Sequence, residues 1–172
     1  MTCTICDQIK DNKHVLAQTE TLAILLAQEP AANGHIIIVP KQHAPIAEQV
    51  PDNVIAEMFT TANSLSAQLF EQLGVQGTNL LLQNGLAAGQ TANHVTLNII
   101  PRKENDGINL EWQAKQISDD EMNQLEATIK AESEHIGKFE KEITPTPLKP
   151  EETETVEEGE VDYMIQQLKR IP

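Results

Sequence analysis

The strongest constraint on this chain is a set of short apolar runs, none long enough for a helix, each closed off by turn residues. Residues 22–27 and 35–39 are the first pair, separated by Pro30 and an Asn33-Gly34 step. Residues 78–83 and 95–100 are the second, with Asn84-Gly85 and Gly89 between them and Pro101 after the last. Runs of this length bounded by Gly, Asn and Pro read as buried strands joined by turns. Helical spacing occurs elsewhere. Val54, Met58, Ala62, Leu65 and Leu69 recur at helical intervals between Asp52 and Leu73, and Gly74 follows as a stop. Ser118 and Glu121 form a capping box that opens a second helix running to about residue 134. The order is mixed, with hairpins and no regular strand–helix–strand alternation. That predicts an α+β domain, an antiparallel sheet with two main helices.

Composition narrows the function classes. Hydrophobic residues make up 40% of the 172 positions, enough for a real core, and aromatics only 3%, too few for a base-stacking surface. Twelve Lys and Arg face 26 Asp and Glu, a net charge of −14. A surface this acidic repels phosphate backbones and anionic lipid, so neither nucleic acid nor membrane is an expected partner. No apolar run approaches a membrane span and the N-terminus lacks an apolar signal core, which leads us to expect a cytoplasmic protein.

Charge also divides the chain. Residues 151–162 carry seven acids and no base, half of the net charge, and follow the proline-rich stretch 143–150. We expect a globular part over 1–140, a flexible Pro/Glu-rich linker over 141–159, and a short amphipathic segment over 160–172. In that last segment Val161, Met164, Ile165, Leu168 and Ile171 fall at helical spacing, with acids before them and Lys169-Arg170 at the end. So short a helix is not stable alone. Its apolar stripe must fold back on its own domain or dock in the groove of another protein. We expect it to bind a partner.

No Walker loop, dinucleotide fingerprint, H-E-x-x-H or G-x-S-x-G occurs. What remains is a C-x-x-C, Cys3 and Cys6, with His14, His35, His43, His94 and His135. Two thiolates supply half of a tetrahedral zinc site. Spacing alone leaves such a site and two unrelated thiols equally open. His14 and His135 read as surface residues, and His35, on an apolar strand, as a packed histidine satisfied by backbone.

The segment N-G-L-A-A-G-Q-T-A-N-H-V-T-L-N-I-I-P-R, residues 84–102, resembles the signature of the histidine triad (HIT) family, N-x-G-x-x-A-G-Q-x-V-x-H-x-H-x-H-x-I-P-R. N-G-H-I-I-I-V-P-K-Q-H, residues 33–43, resembles the family's G-H-x-L-V-x-P-K-x-H strand, and C-T-I-C the start of its zinc-containing branch. Asp106 to Asn109 followed by Trp112 resembles the stretch after the triad in some prokaryotic members. The likeness spans about residues 1–135. It implies the HIT fold, a homodimer whose sheets join across a two-fold axis, and zinc on Cys3, Cys6, His43 and His94.

The departures bear on activity. In active members the middle histidine of H-x-H-x-H attacks the α-phosphorus of a nucleotide and becomes covalently nucleotidylated. The three positions here are His94, Thr96 and Asn98. An imidazole is a competent neutral nucleophile near pH 7, whereas a threonine hydroxyl needs an adjacent base and an asparagine amide cannot serve as one. The family's ribose-binding Asp or Asn, three residues before the first hairpin's proline, is Ala27 here. The resemblance therefore implies an inactive or nearly inactive HIT protein, a zinc-stabilised interaction or adaptor module with weak or absent nucleotide binding. Asn84, Gln90 and Arg102 persist as possible cleft residues. Two alternatives stay open: a nucleotide hydrolase or transferase with a rearranged site, and a sensor that binds nucleotide without cleaving it.

Overall fold

Burial on both sides explains why residues 22–26 and 36–40 are apolar throughout. The computed structural model describes residues 3–131 and 133. In chain order the elements are α1 (Thr4–Lys10), β1 (Val15–Gln18), β2 (Leu22–Leu26), β3 (Ile36–Pro40), α2 (Asp52–Leu73), β4 (Gly77–Leu82), β5 (Leu97–Arg102) and α3 (Asp119–Ala131). The strands form one antiparallel sheet in the order β1-β2-β3-β5-β4. Side chains alternate across it. Leu22, Ile24, Ile36, Ile38, Leu97 and Ile99 share one core with Val54, Met58, Ala62 and Leu69 of α2. Ala23, Leu25, Ile37 and Val39, on the opposite face, meet Ile5 and Ile9 of α1. All five residues of β3 are buried as a result.

Helix α2 occupies the residues that its apolar spacing predicts and ends on Gly74 in the left-handed conformation, φ 57°. Contrary to expectation, Pro101 does not stop β5: it pairs with Thr78 inside the strand. Pairing of β5 with β3 ends at Ile36 and Ile99, so Pro101 has a neighbouring strand on one side only, and its missing N–H is tolerated. Val95 and Thr96, expected within this strand, lie with His94 in the loop before it.

The chain divides into two compact units, one up to Trp112 and one from Gln113 on. In the second, α3 opens as expected. The Ser118 hydroxyl caps the Glu121 N–H at 3.3 Å, while the Glu121 carboxylate accepts from the Ser118 N–H at 3.1 Å. The linker at 141–159, the amphipathic segment at 160–172 and His135 lie outside the described residues. No helix among the described residues is long and apolar enough to cross a membrane.

Candidate metal centre and cleft

Two loops and one short helix bring four ligand atoms together. Cys3 precedes α1 and Cys6 lies in its first turn, held against the sheet by Ile5 and Ile9. His43 follows β3, and His94 lies ahead of β5. Gln90 fastens the two histidine loops to each other. Its Nε2 donates to the Pro45 carbonyl at 2.7 Å and the Ala92 carbonyl at 2.8 Å, and its Oε1 accepts from the Gly85 N–H at 2.7 Å. A backbone bond from the Val95 N–H to the Ala44 carbonyl, 2.8 Å, closes the join. The two imidazoles meet edge to face with ring centroids 5.2 Å apart.

The donor atoms of Cys3, Cys6, His43 and His94 all lie within 4.8 Å of one another. Three sulfur–nitrogen separations are 3.5 Å: Cys3 Sγ to His94 Nδ1, Cys6 Sγ to His43 Nδ1, and Cys6 Sγ to His94 Nδ1. A zinc ion with bonds of about 2.3 Å to sulfur and about 2.05 Å to nitrogen at a tetrahedral angle requires about 3.6 Å. The four residues fit a metal ion.

The protonation states agree. The buried His94 ring points Nε2 at the Pro40 carbonyl, 2.9 Å away. That acceptor keeps the proton on Nε2 and leaves the Nδ1 lone pair facing the sulfurs. Burial pushes His94 below its ordinary value, as neutral ligation requires. Burial, and then the Cys3 sulfur beside it, push the Cys6 thiol up. A metal ion bound by the two sulfurs would displace their protons.

Beside this cluster, on the α1 face of the sheet, lies a cleft of about 400 Å³. Thr4, Ile5 and Gln8 of α1 form one wall; His35, Ile37, Thr96 and Asn98 form the floor. The Thr96 hydroxyl donates to the His94 carbonyl at 3.1 Å. The Asn98 amide donates to the Leu81 carbonyl at 3.0 Å, and its oxygen lies 3.1 Å from His35 Nε2. His35 Nδ1 accepts the Ala31 N–H at 3.1 Å, so the ring proton resides on Nε2 and is given to Asn98. Burial pushes the His35 pKa down, with the Asn98 bond opposing it.

Ala27 and Gln90 line this cleft; Asn84 and Arg102 do not. The Asn84 amide donates to both Glu48 carboxylate oxygens, at 2.8 and 2.9 Å, and its oxygen accepts the Ala47 N–H at 2.9 Å. Arg102 pairs with Asp106 at 2.6 and 3.0 Å and also donates to Asn79 and the Ile108 carbonyl. That guanidinium holds the Asp106 carboxyl far below the usual carboxylate range. Gln8, Glu29 and Gln83 also line the cleft and were missed from sequence. For Gln8 a signal existed: it lies between Ile5 and Ile9 at helical spacing, on the side that packs.

Residues 8–105 match the family model described as HIT domain. The chain belongs to the HIT family. This HIT protein is 35% identical over 106 residues to Adenylylsulfatase HINT3 of Arabidopsis thaliana, an alignment covering 60% of this chain and 54% of that one. It thus spans about half the length of that relative. It is 29% identical over 135 residues to Adenosine 5'-monophosphoramidase HNT1 of Saccharomyces cerevisiae, covering 77% and 83% of the two chains. Its fold matches that of a histidine triad nucleotide-binding protein from Candida albicans with a TM-score of 0.67 at 26% identity, covering 76% of this chain and 96% of that one.

Proposed function

We propose that this HIT protein is a binding and interaction module that holds a structural zinc ion and has lost the covalent nucleotidyl-transfer chemistry of its family. The observation that carries this reading is the Thr96 hydroxyl. It stands where the family signature has its nucleophilic histidine, and its proton is directed at the His94 carbonyl. No base faces it among the described residues: His94 is turned to the sulfurs, and the His35 proton is given to Asn98. Nothing there would remove the hydroxyl proton during attack on phosphorus.

The proposed zinc ligands are Cys3, Cys6, His43 and His94. Zinc there would cross-link α1 to the loops after β3 and before β5, and its four protein ligands leave no open position for a catalytic water. Metal analysis of protein purified without added zinc or chelator should find about one zinc per chain. A metal-free protein of equal thermal stability would overturn this assignment.

The test of inactivity is turnover of an adenosine phosphoramidate by the wild type and by Thr96→Ala. Both should be inactive at concentrations where an active relative completes the reaction in minutes. Turnover by the wild type that Thr96→Ala abolishes would establish a rearranged hydrolase or transferase instead, in keeping with the names of the Arabidopsis and yeast relatives.

The interaction role is assigned to the segment 160–172 as a partner-binding tail and to a homodimer formed through the sheet. A chain truncated after Thr144 should lose partners that the full chain retains in a pull-down. Retention of every partner would sink the tail's role. The dimer is supported by β4, an edge strand that carries the exposed Leu80.

A further inference from the structure

We infer that the apolar stripe of α3 is the seat of the chain's own residues 160–172, laid against it in the antiparallel direction. The inference rests on the reading of that segment as one that binds through its apolar side, and adds the surface it meets. Helix α3 has 13 residues and none of them is buried. Met122, Leu125 and Ile129 nevertheless fall three and then four residues apart, on one face, and are 52%, 50% and 62% exposed. A helix this short is marginal in water by itself, and a one-sided apolar stripe is what a second helix would cover.

A matching stripe is written in the same chain. Ile171, Leu168 and Met164, read backwards, repeat the intervals of Met122, Leu125 and Ile129. Antiparallel helices would set Met122 against Ile171, Leu125 against Leu168, and Ile129 against Met164. Spacing alone admits the parallel direction as well, through Val161, Met164 and Leu168. Charge decides between the two. Helix α3 opens with Asp119, Asp120 and Glu121, and the segment 160–172 closes with Lys169 and Arg170. In the antiparallel direction these ends meet as opposites. In the parallel direction the same acids would face Glu160 and Asp162. At the far end of α3 stands Lys130, in an exposed pair with Glu126 and free to exchange it for the acids that open the segment.

Chain length permits the docking and favours an intramolecular one. Residues 132–159 join the two stripes, far more chain than the roughly 10 Å between packed helix axes requires. Three apolar side chains from each helix cover well under the roughly 800 Å² per partner that a stable complex of separate molecules buries. A tether makes the same contact intramolecular, at an effective concentration of roughly millimolar. The stripe of α3 therefore takes its own chain's segment ahead of a second copy, and any other protein that binds 160–172 must displace it from α3.

The experiment is methyl NMR of the full chain, labelled at Met and Ile, with amide hydrogen exchange read over α3. We expect nuclear Overhauser contacts from the Met122 methyl to Ile171 and from the Met164 methyl to Ile129. Leu168→Asp should remove both and speed exchange of the α3 amides by roughly fivefold or more. Lys169→Glu with Arg170→Glu leaves the stripe intact and should speed the same amides by about two- to threefold, less so at high salt. Absence of both contacts in the wild type overturns the inference. So does a contact from Met122 to Val161 in their place, which is the parallel arrangement. Contacts that appear only between separately labelled copies overturn it too, since a second chain would then cover the stripe. The two readings fail separately. Missing contacts, with partners still lost on truncation after Thr144, remove this inference alone; contacts present, with every partner retained on truncation, uphold it and remove the partner-binding role.

Discussion

Asn98 is a polar side chain set in an apolar row. Its cross-strand partners are Ile37 on one side and Leu81 on the other, and Leu25 lies beyond Ile37. It is accommodated because its amide donates to the Leu81 carbonyl and its oxygen takes the His35 proton. Asn98→Leu keeps the branched shape in a somewhat larger side chain and removes both hydrogen-bonding groups. It should cost roughly 1–3 kcal/mol in urea denaturation, mainly through the stranded His35 N–H. His35 also carries a pH dependence. Burial lowers its folded-state pKa from the ordinary 6.5, so the unfolded chain binds a proton that the native ring refuses. Its stability contribution is intact above about pH 6.5 and is lost as pH falls below it. Among the described residues Glu29 is the only carboxylate lining the same cleft, and burial shifts His94 in the same direction. His35→Gln should therefore flatten, without abolishing, the fall in denaturation midpoint between pH 7 and pH 5.

Among the elements, the turn between β2 and β3 shows how closely the layers meet. Gly34 has φ 86°, and a Cβ there would lie 2.6 Å from Leu73 Cδ1 at the end of α2. Gly34→Ala combines a left-handed backbone with an overlap against the end of the exposed Leu73 side chain, which must move aside. It should destabilise by about 2 kcal/mol, read as a lower thermal midpoint. Elements with a long or wholly apolar signal were legible in the sequence. Helix α2 falls where its spacing places it, and strands β2 to β5 lie within two residues of their apolar runs. Helix α1 and strand β1 were not. The first has seven residues, too few for a period to show. The second has four, mostly exposed, with an irregular register between Val15 and Ala17, so neither alternation nor hydrophobicity marks it. In the cleft, residue types near a turn did not reveal which way a side chain faces. Asn84 bonds to the turn at Ala47 and Glu48, and Arg102 to Asp106. The metal quartet spans positions 3 to 94, and only the family resemblance joined its halves in advance.

At the scale of the molecule, the unpaired side of β4 is the most consequential open surface of the sheet. Leu80 is 41% exposed on that edge strand, and Phe70 and Leu73 of α2 are exposed as well. A homodimer joined there predicts that sedimentation finds twice the chain mass. Leu80→Lys, which would bring a charge into the interface from both copies, should shift the protein to monomer without lowering its metal content. A wild-type monomer at micromolar concentration would remove the dimer.

Helix α1 belongs to two places at once. Cys6 faces the histidines, while Thr4, Ile5 and Gln8 wall the cleft. With its cysteines bound to metal, that wall is fixed before any small molecule arrives. Without metal, seven residues must hold position through Ile5, Ile9 and the buried Gln8, whose amide donates to the Leu26 carbonyl at 3.5 Å. Metal and any small molecule that rests on this wall are then thermodynamically linked, and linkage runs both ways. If metal tightens the hold on a cleft ligand, with adenosine as the probe, by some factor, that ligand must raise the affinity for metal by the same factor. Competition with a chelator, with and without adenosine, reads the factor directly; a ratio of one would mean that the wall stands by itself.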